Sequence, residues 1–114
     1  MLLSRDTSQL LIVDVQTKLL PAMSDQRLVE RCILVRAAKA LGVPITISEQ
    51  YPQGLGPTVD ALREALGTAG SVMTKVEFSC AKNAPLRERL LELRRRGRPQ
   101  VVIGGMEAYA ESEV

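Results

Sequence analysis

Short apolar runs alternate along the chain with longer stretches in which apolar residues return every three or four positions. Leu10-Leu11-Ile12-Val13 is apolar on both faces and stops on Asp14, the pattern of a strand buried on both sides in a helix-covered parallel sheet. Ser24 can cap a helix with Asp25 in its first turn. Leu28, Cys32, Val35, Ala38 and Leu41 then fall roughly on one face, and Gly42 stops the helix. Pro44-Ile45-Thr46-Ile47-Ser48 reads as a second strand led by a proline that a strand start tolerates. Residues 49–57, rich in Gly and Pro, read as a loop, and Thr58 as the cap of a short helix carrying Val59, Leu62, Ala65 and Leu66. Ser71-Val72-Met73-Thr74 is a weaker third strand that leads into Lys75. Asn83 and Pro85 open another helix with Leu86, Leu90, Leu91 and Leu93 on its buried side, and Arg94-Arg95-Arg96-Gly97 close it. Gln100-Val101-Val102-Ile103 is a fourth strand, followed by Gly104-Gly105.

The order β-α-β-α-β-α-β is that of an α/β sheet with right-handed crossovers. Residues 1–114 form a single domain with no linker, internal repeat or low-complexity tract. A helix is expected after the fourth strand, yet only residues 106–114 follow, rich in acid at Glu107, Glu111 and Glu113. The pattern predicts a domain cut short.

Composition narrows the chemistry. With 46% hydrophobic and only 3% aromatic residues among 114, the core must be aliphatic. Fifteen basic against thirteen acidic residues give a net charge of +2, which demands neither a nucleic-acid nor a membrane partner. No apolar stretch is long enough to span a bilayer and no signal peptide is evident, so cytoplasmic residence is expected. Histidine is absent, which removes the commonest general base and transition-metal ligand and excludes a Ser-His-Asp or Cys-His machine within the chain. Cys32 and Cys80 show no metal spacing, and a disulfide between them is not expected in a reducing compartment.

In parallel sheets ligands collect at the carboxyl ends of the strands. Asp14, Lys75, Glu107 and Glu111 all follow strands, so a carboxylate and an ammonium can meet at one edge and tune a reactive group. The alternative is that Asp14 caps a turn and Lys75 is solvated. Glu107 and Glu111 share a face if residues 106–113 are helical, where two acids could do acid–base work or simply favour a helix N-terminus. Arg87, Arg89, Arg94, Arg95, Arg96 and Arg98 make a basic run without stacking aromatics, the mark of a solvated face. The turn after Asp14 has no glycine, so a dinucleotide fingerprint fails, and Gly104-Gly105 lacks the Lys-Ser/Thr of a phosphate loop. Cys32 lies on an apolar helix face, and Cys80, near Lys75, is a weak nucleophile candidate.

Three segments together resemble the isochorismatase-like cysteine hydrolases. Leu11-Ile12-Val13-Asp14-Val15-Gln16 resembles their first motif, Lys75-Val76-Glu77-Phe78-Ser79 the second, and Val101 to Ala108 the strand that leads to the nucleophile turn. Residues 49–58, Glu-Gln-Tyr-Pro-Gln-Gly-Leu-Gly-Pro-Thr, are the most specific piece and resemble the branch of isochorismatase domain-containing proteins. The likeness runs from about Ser8 to Ala108 with the motifs in order.

This resemblance implies a three-layer α/β/α, Rossmann-like parallel sheet, incomplete at four strands. It also implies an Asp-Lys-Cys triad that attacks an amide or related carbonyl of a small-molecule substrate through a thiolate, although the named isochorismatases cleave a vinyl ether. By the resemblance Asp14 takes the thiol proton and Lys75 stabilises anions. Backbone N–H groups at the following helix start form the oxyanion hole. Gln16, Tyr51, Leu55 and Phe78 are expected to meet substrate. Neither a metal nor another cofactor is implied, because the metal-binding branch uses histidine. The cysteine position is occupied by Glu111, so the chain is expected to be an inactive, truncated or frameshifted form. Family strand order puts the fourth strand beside the first with its other edge unpaired, predicting self-association into a homo-oligomer. A non-catalytic interaction module built on that edge is the alternative, and an enzyme working through Cys80 or Glu111 is a third reading.

Overall fold

Residues 4–75, 83–106 and 110–113 are described by the computed structural model. The doubly apolar run is the centre of the sheet. β1 (Ser8–Val13) lies between β2 (Ile45–Gln50) and β4 (Gln100–Gly104), parallel to both, and β3 (Ser71–Lys75) adds in parallel outside β2. Every β1 residue from Ser8 to Ile12 is buried because its neighbours cover both edges and helices cover both faces. Leu10 and Ile12 face one layer while Leu11 faces the other, the two-residue alternation of a strand.

The first layer holds α1 (Asp25–Leu41) and α3 (Asp60–Leu66), whose Cys32, Val35, Ala38, Leu62 and Leu66 pack with Ile45 and Ile47. Ser24 caps α1 as expected, its Oγ accepting from the Arg27 N–H at 3.1 Å, and Gly42 ends it at φ 71, a left-handed stop that glycine adopts without penalty. The second layer is α4 (Ala84–Arg95), where Leu86 packs with Leu11 and Val101. Asn83 caps α4 by accepting from the Leu86 N–H at 3.0 Å. The arginines at its far end are largely tied down: Arg95 pairs with Glu88 and Glu92, Arg96 with Glu92, and Arg98 donates to the Ser8 carbonyl.

Residues 17–22 form a 3-10 segment that includes Pro21. Several expectations are corrected. The strand predicted to end at Ser48 runs on through Glu49 and Gln50, and Pro52–Leu55 forms a short helix, α2. Thr58 does not cap α3, because its N–H and hydroxyl are taken by Glu49; Val59 holds the cap position. Leu41, placed on the buried face of α1, is 50% exposed. The residues expected to form a helix after β4 instead include a fifth strand, β5 (Ala110–Glu113), antiparallel to β4. A helix of about two turns has little stability of its own, whereas β4 offered a row of backbone groups to pair. The outer edge of β4 is therefore covered, contrary to the expectation of an unpaired edge, and the sheet order is β3-β2-β1-β4-β5.

Candidate active site at the carboxyl edge of the sheet

The four parallel strands end on one edge, and Asp14 stands one residue beyond β1 there. Its backbone turns sharply at φ 56, a left-handed conformation that Asp tolerates better than most residues. Two bonds to Ser48 on β2 hold it. The Asp14 N–H donates to the Ser48 carbonyl at 3.1 Å, and the Ser48 hydroxyl donates to Asp14 Oδ1 at 2.8 Å. Lys75 is the last residue of β3, in register with Gln50 of β2. Asp14 and Lys75 thus share one edge with β2 between them, about 10 Å apart across two strand spacings.

The segment after β2 is strapped down over this edge. Gln16, fully buried, donates from Nε2 to the Gln50 carbonyl at 3.0 Å and the Gly56 carbonyl at 2.7 Å, and its Oε1 accepts from the Gln50 N–H at 2.7 Å. Beside it the Thr17 N–H donates to the Pro57 carbonyl, and the Val59 N–H to the Val15 carbonyl, each at 3.0 Å. Glu49 is buried and accepts from both the N–H and the hydroxyl of Thr58 at 2.7 Å. Gly56 sits at φ 79 where a Cβ would overlap the Thr17 hydroxyl, so only glycine lets the strap lie this close. Within the strap Tyr51 is exposed, with its ring on Gly54, and Leu55 is half-buried. Gln16, expected to meet substrate, hydrogen-bonds through its amide to backbone groups of the strap.

The turn after β4 is anchored from below. Arg31 of α1 is 1% exposed and its Nε donates to the Gly105 carbonyl at 2.9 Å. The half-exposed Glu30 carboxylate lies 4.0 Å from Arg31 Nη1. Nothing in the hydrophobic pattern singled out Arg31, since an arginine on a helix reads as solvated. Ser48 and Glu49 were equally hidden, the first as an ordinary strand polar residue and the second as part of a Gly/Pro-rich loop.

Glu111 is not brought to this edge. β5 places it opposite Val102, which pairs with Leu10, four residues before Asp14 and about 13 Å down the strand direction. Glu111, expected to share a helical face with Glu107 if residues 106–113 were helical, lies instead in the extended β5. Phe78, Cys80 and Glu107 lie outside the described residues. Cys32 is a free, buried thiol whose pKa is raised by burial against the opposing pull of Arg36. Among the described residues no cluster of three His, Cys, Asp or Glu side chains could hold a metal, and no helix is long and apolar enough to cross a membrane.

Solved structures with this arrangement include YcaC from Pseudomonas aeruginosa (TM-score 0.75, 21% identity, 90% of this chain and 52% of that one) and MAR1 ribonuclease from Caenorhabditis elegans (TM-score 0.71, 24% identity, 92% and 68%). At these identities they share the fold. No family model matches the chain. Isochorismatase domain-containing protein 2 of Danio rerio is 36% identical over 116 residues, covering 95% of this chain, and protein 2A of Mus musculus is 33% identical over 110 residues, covering 92%. The chain belongs to the isochorismatase-like family. It spans about half the length of these curated relatives, 53% and 48% respectively. Within this isochorismatase-like sheet, the carboxyl edge holds Asp14 of the first segment of the resemblance and Lys75, which opens the second, and the turn anchored by Arg31 lies within the third.

Proposed function

We propose that this chain carries the Asp–Lys part of an isochorismatase-like hydrolase site that accepts a small amide or related carbonyl substrate. The observation that supports this best is the shared edge: Asp14 is fixed by Ser48 in a strained turn, and Lys75 ends the strand two places away. In this reading Asp14 is the proton acceptor, and the Lys75 ammonium favours anionic states of the nucleophile and the substrate oxygen. Tyr51, Leu55 and Phe78 line the approach. The position that matches the family's cysteine is Glu111, on β5 and well below the edge, so the chain alone binds substrate without turning it over.

The test is a titration of the labelled chain with a panel of primary amides, followed by backbone amide resonances, alongside an ammonia-release assay. Saturable shifts at Asp14, Ser48 and Tyr51 that vanish in Asp14→Asn, with no ammonia released, support the reading. Amide turnover by the chain alone would overturn the assignment of inactivity, and shifts that do not involve Asp14 would overturn the site.

We also propose that the chain self-associates. Val29, Ile33 and Leu41 are 56%, 58% and 50% exposed along α1, a row of apolar side chains that water disfavours. The structurally similar YcaC of Escherichia coli (TM-score 0.74, 20% identity) is described as an octameric hydrolase of unknown specificity. Sedimentation should show a concentration-dependent oligomer that Ile33→Asp dissociates; a monomer at all concentrations would refute it.

A further inference from the structure

At the opposite, amino edge of the sheet a cleft of about 390 Å³ opens beneath the starts of β2 and β3. Val43, Pro44, Ile45 and Ala69 give it apolar walls, and two cations reach it from opposite faces of the sheet. Lys39 comes from α1, its Nζ donating to the Ala65 carbonyl near the end of α3 at 3.0 Å. Arg89 comes from α4, its Nε donating to the Thr46 hydroxyl at 3.3 Å. Among the described residues neither forms an ion pair, unlike Arg95 and Arg96 further along α4. The Arg89 pKa is pushed down by burial and by the charge of Arg96, so a bound anion would relieve both.

We propose that this cleft binds a small organic phosphate, with the head group between Lys39 and Arg89 and the apolar body on Val43, Pro44 and Ile45. A phosphate monoester carries nearly two charges and three acceptor oxygens, enough to engage cations on two walls at once. A carboxylate carries one charge and would satisfy one wall. The apolar lining selects against the bare ion, because only a ligand with a hydrophobic body gains from covering it. This site is independent of the hydrolase reading, which concerns the other edge.

The experiment is a titration of the labelled chain with phenyl phosphate, inorganic phosphate and benzoate, read at the amides of Gly42 and Gly70, which line the cleft. Phenyl phosphate should bind about tenfold tighter than either other probe, and Lys39→Gln should weaken it by about tenfold. Arg89→Lys keeps the charge but loses the fork, and should weaken it as well. Asp14→Asn should leave binding unchanged. Equal binding of all three probes, shifts centred on residues 94–98, or unchanged affinity in both Lys39→Gln and Arg89→Lys would overturn the proposal.

Discussion

The Ser48 hydroxyl reaches across from β2 to donate to Asp14 Oδ1 at 2.8 Å, while the Asp14 N–H returns a bond to the Ser48 carbonyl. The pair holds a carboxylate at the end of the central strand in a left-handed turn at φ 56. A side chain branched at Cβ could not adopt that turn cheaply, and the Ser48 hydroxyl helps to aim the carboxylate. Strain and hydrogen bonding together fix where the carboxylate stands.

This relationship separates two substitutions of similar size. Asp14→Asn should fold with stability within about 0.5 kcal/mol of the parent, since Asn tolerates the left-handed region and can accept from Ser48. Asp14→Val should lose about 2 kcal/mol, combining the conformational penalty with the lost bond. Urea unfolding of the two variants checks it; equal stabilities would show that the turn is not strained.

Gln16 is predicted to be a structural clamp. Gln16→Ala leaves the Gln50 N–H and two carbonyls without their partner in a buried place, at a cost of about 2–3 kcal/mol. Gln16→Glu should be worse, because a carboxylate would face the Gln50 and Gly56 carbonyls. Thermal unfolding ranks them, and a Gln16→Glu variant as stable as the parent would refute the clamp.

Much of this fold could be read from the chain because each element carried its own signal. The β1 run was apolar on both faces, Ser24 and Asn83 were caps with the right followers, and Gly42 was a stop. What stayed hidden depended on distant partners. Glu49 and Thr58 looked like loop and cap because their bond to each other spans the strap, and nothing local singled out Arg31 because its acceptor, Gly105, lies just beyond β4. The strand β5 was not legible, because two glutamates four apart fit a helical face as well, while the edge of β4 that recruits it is a tertiary feature. For the candidate site, the edge and two of its residues were legible from strand ends, whereas Ser48, which aims Asp14, was not.

Arg31 is predicted to hold the turn after β4 by both bond and bulk. Arg31→Ala should cost about 3–4 kcal/mol, through the cavity and the orphaned Gly105 carbonyl. Arg31→Met keeps the volume and removes a buried charge, and should cost about 1–2 kcal/mol. Denaturant unfolding distinguishes them; identical losses would mean that the hydrogen bond alone matters.

Cys32 should behave as a protected core thiol. Burial raises its pKa in the fold above that of the unfolded chain. The stability tied to the neutral thiol is full below the unfolded value and is lost as pH rises through the folded one. At pH 8 a disulfide reagent should therefore label Cys32 about 100-fold more slowly in the native chain than in urea, since only the exposed thiolate reacts. Mass spectrometry of the labelled peptide reads the rate, and equal rates would show that the α1 face opens readily.

The acid limb of stability is predicted to carry a contribution from the end of α4. Hydrogen bonds from Arg95 and then Arg96 hold the Glu92 carboxyl below its ordinary range, while Arg95 is raised by the same pairing with Glu92. A carboxyl with a depressed folded pKa stabilises the fold above its unfolded value, about 4.3, and that contribution is lost as pH falls through the folded one. Glu92→Gln should lower the melting temperature slightly at pH 7 and flatten its fall between about pH 5 and pH 3, so that the two proteins converge in acid. The groups are solvent-exposed, so raising the salt should shrink the difference between parent and variant as screening weakens the pair. A slope identical in the two proteins at low salt would show that these ion pairs contribute nothing to the acid stability of the fold.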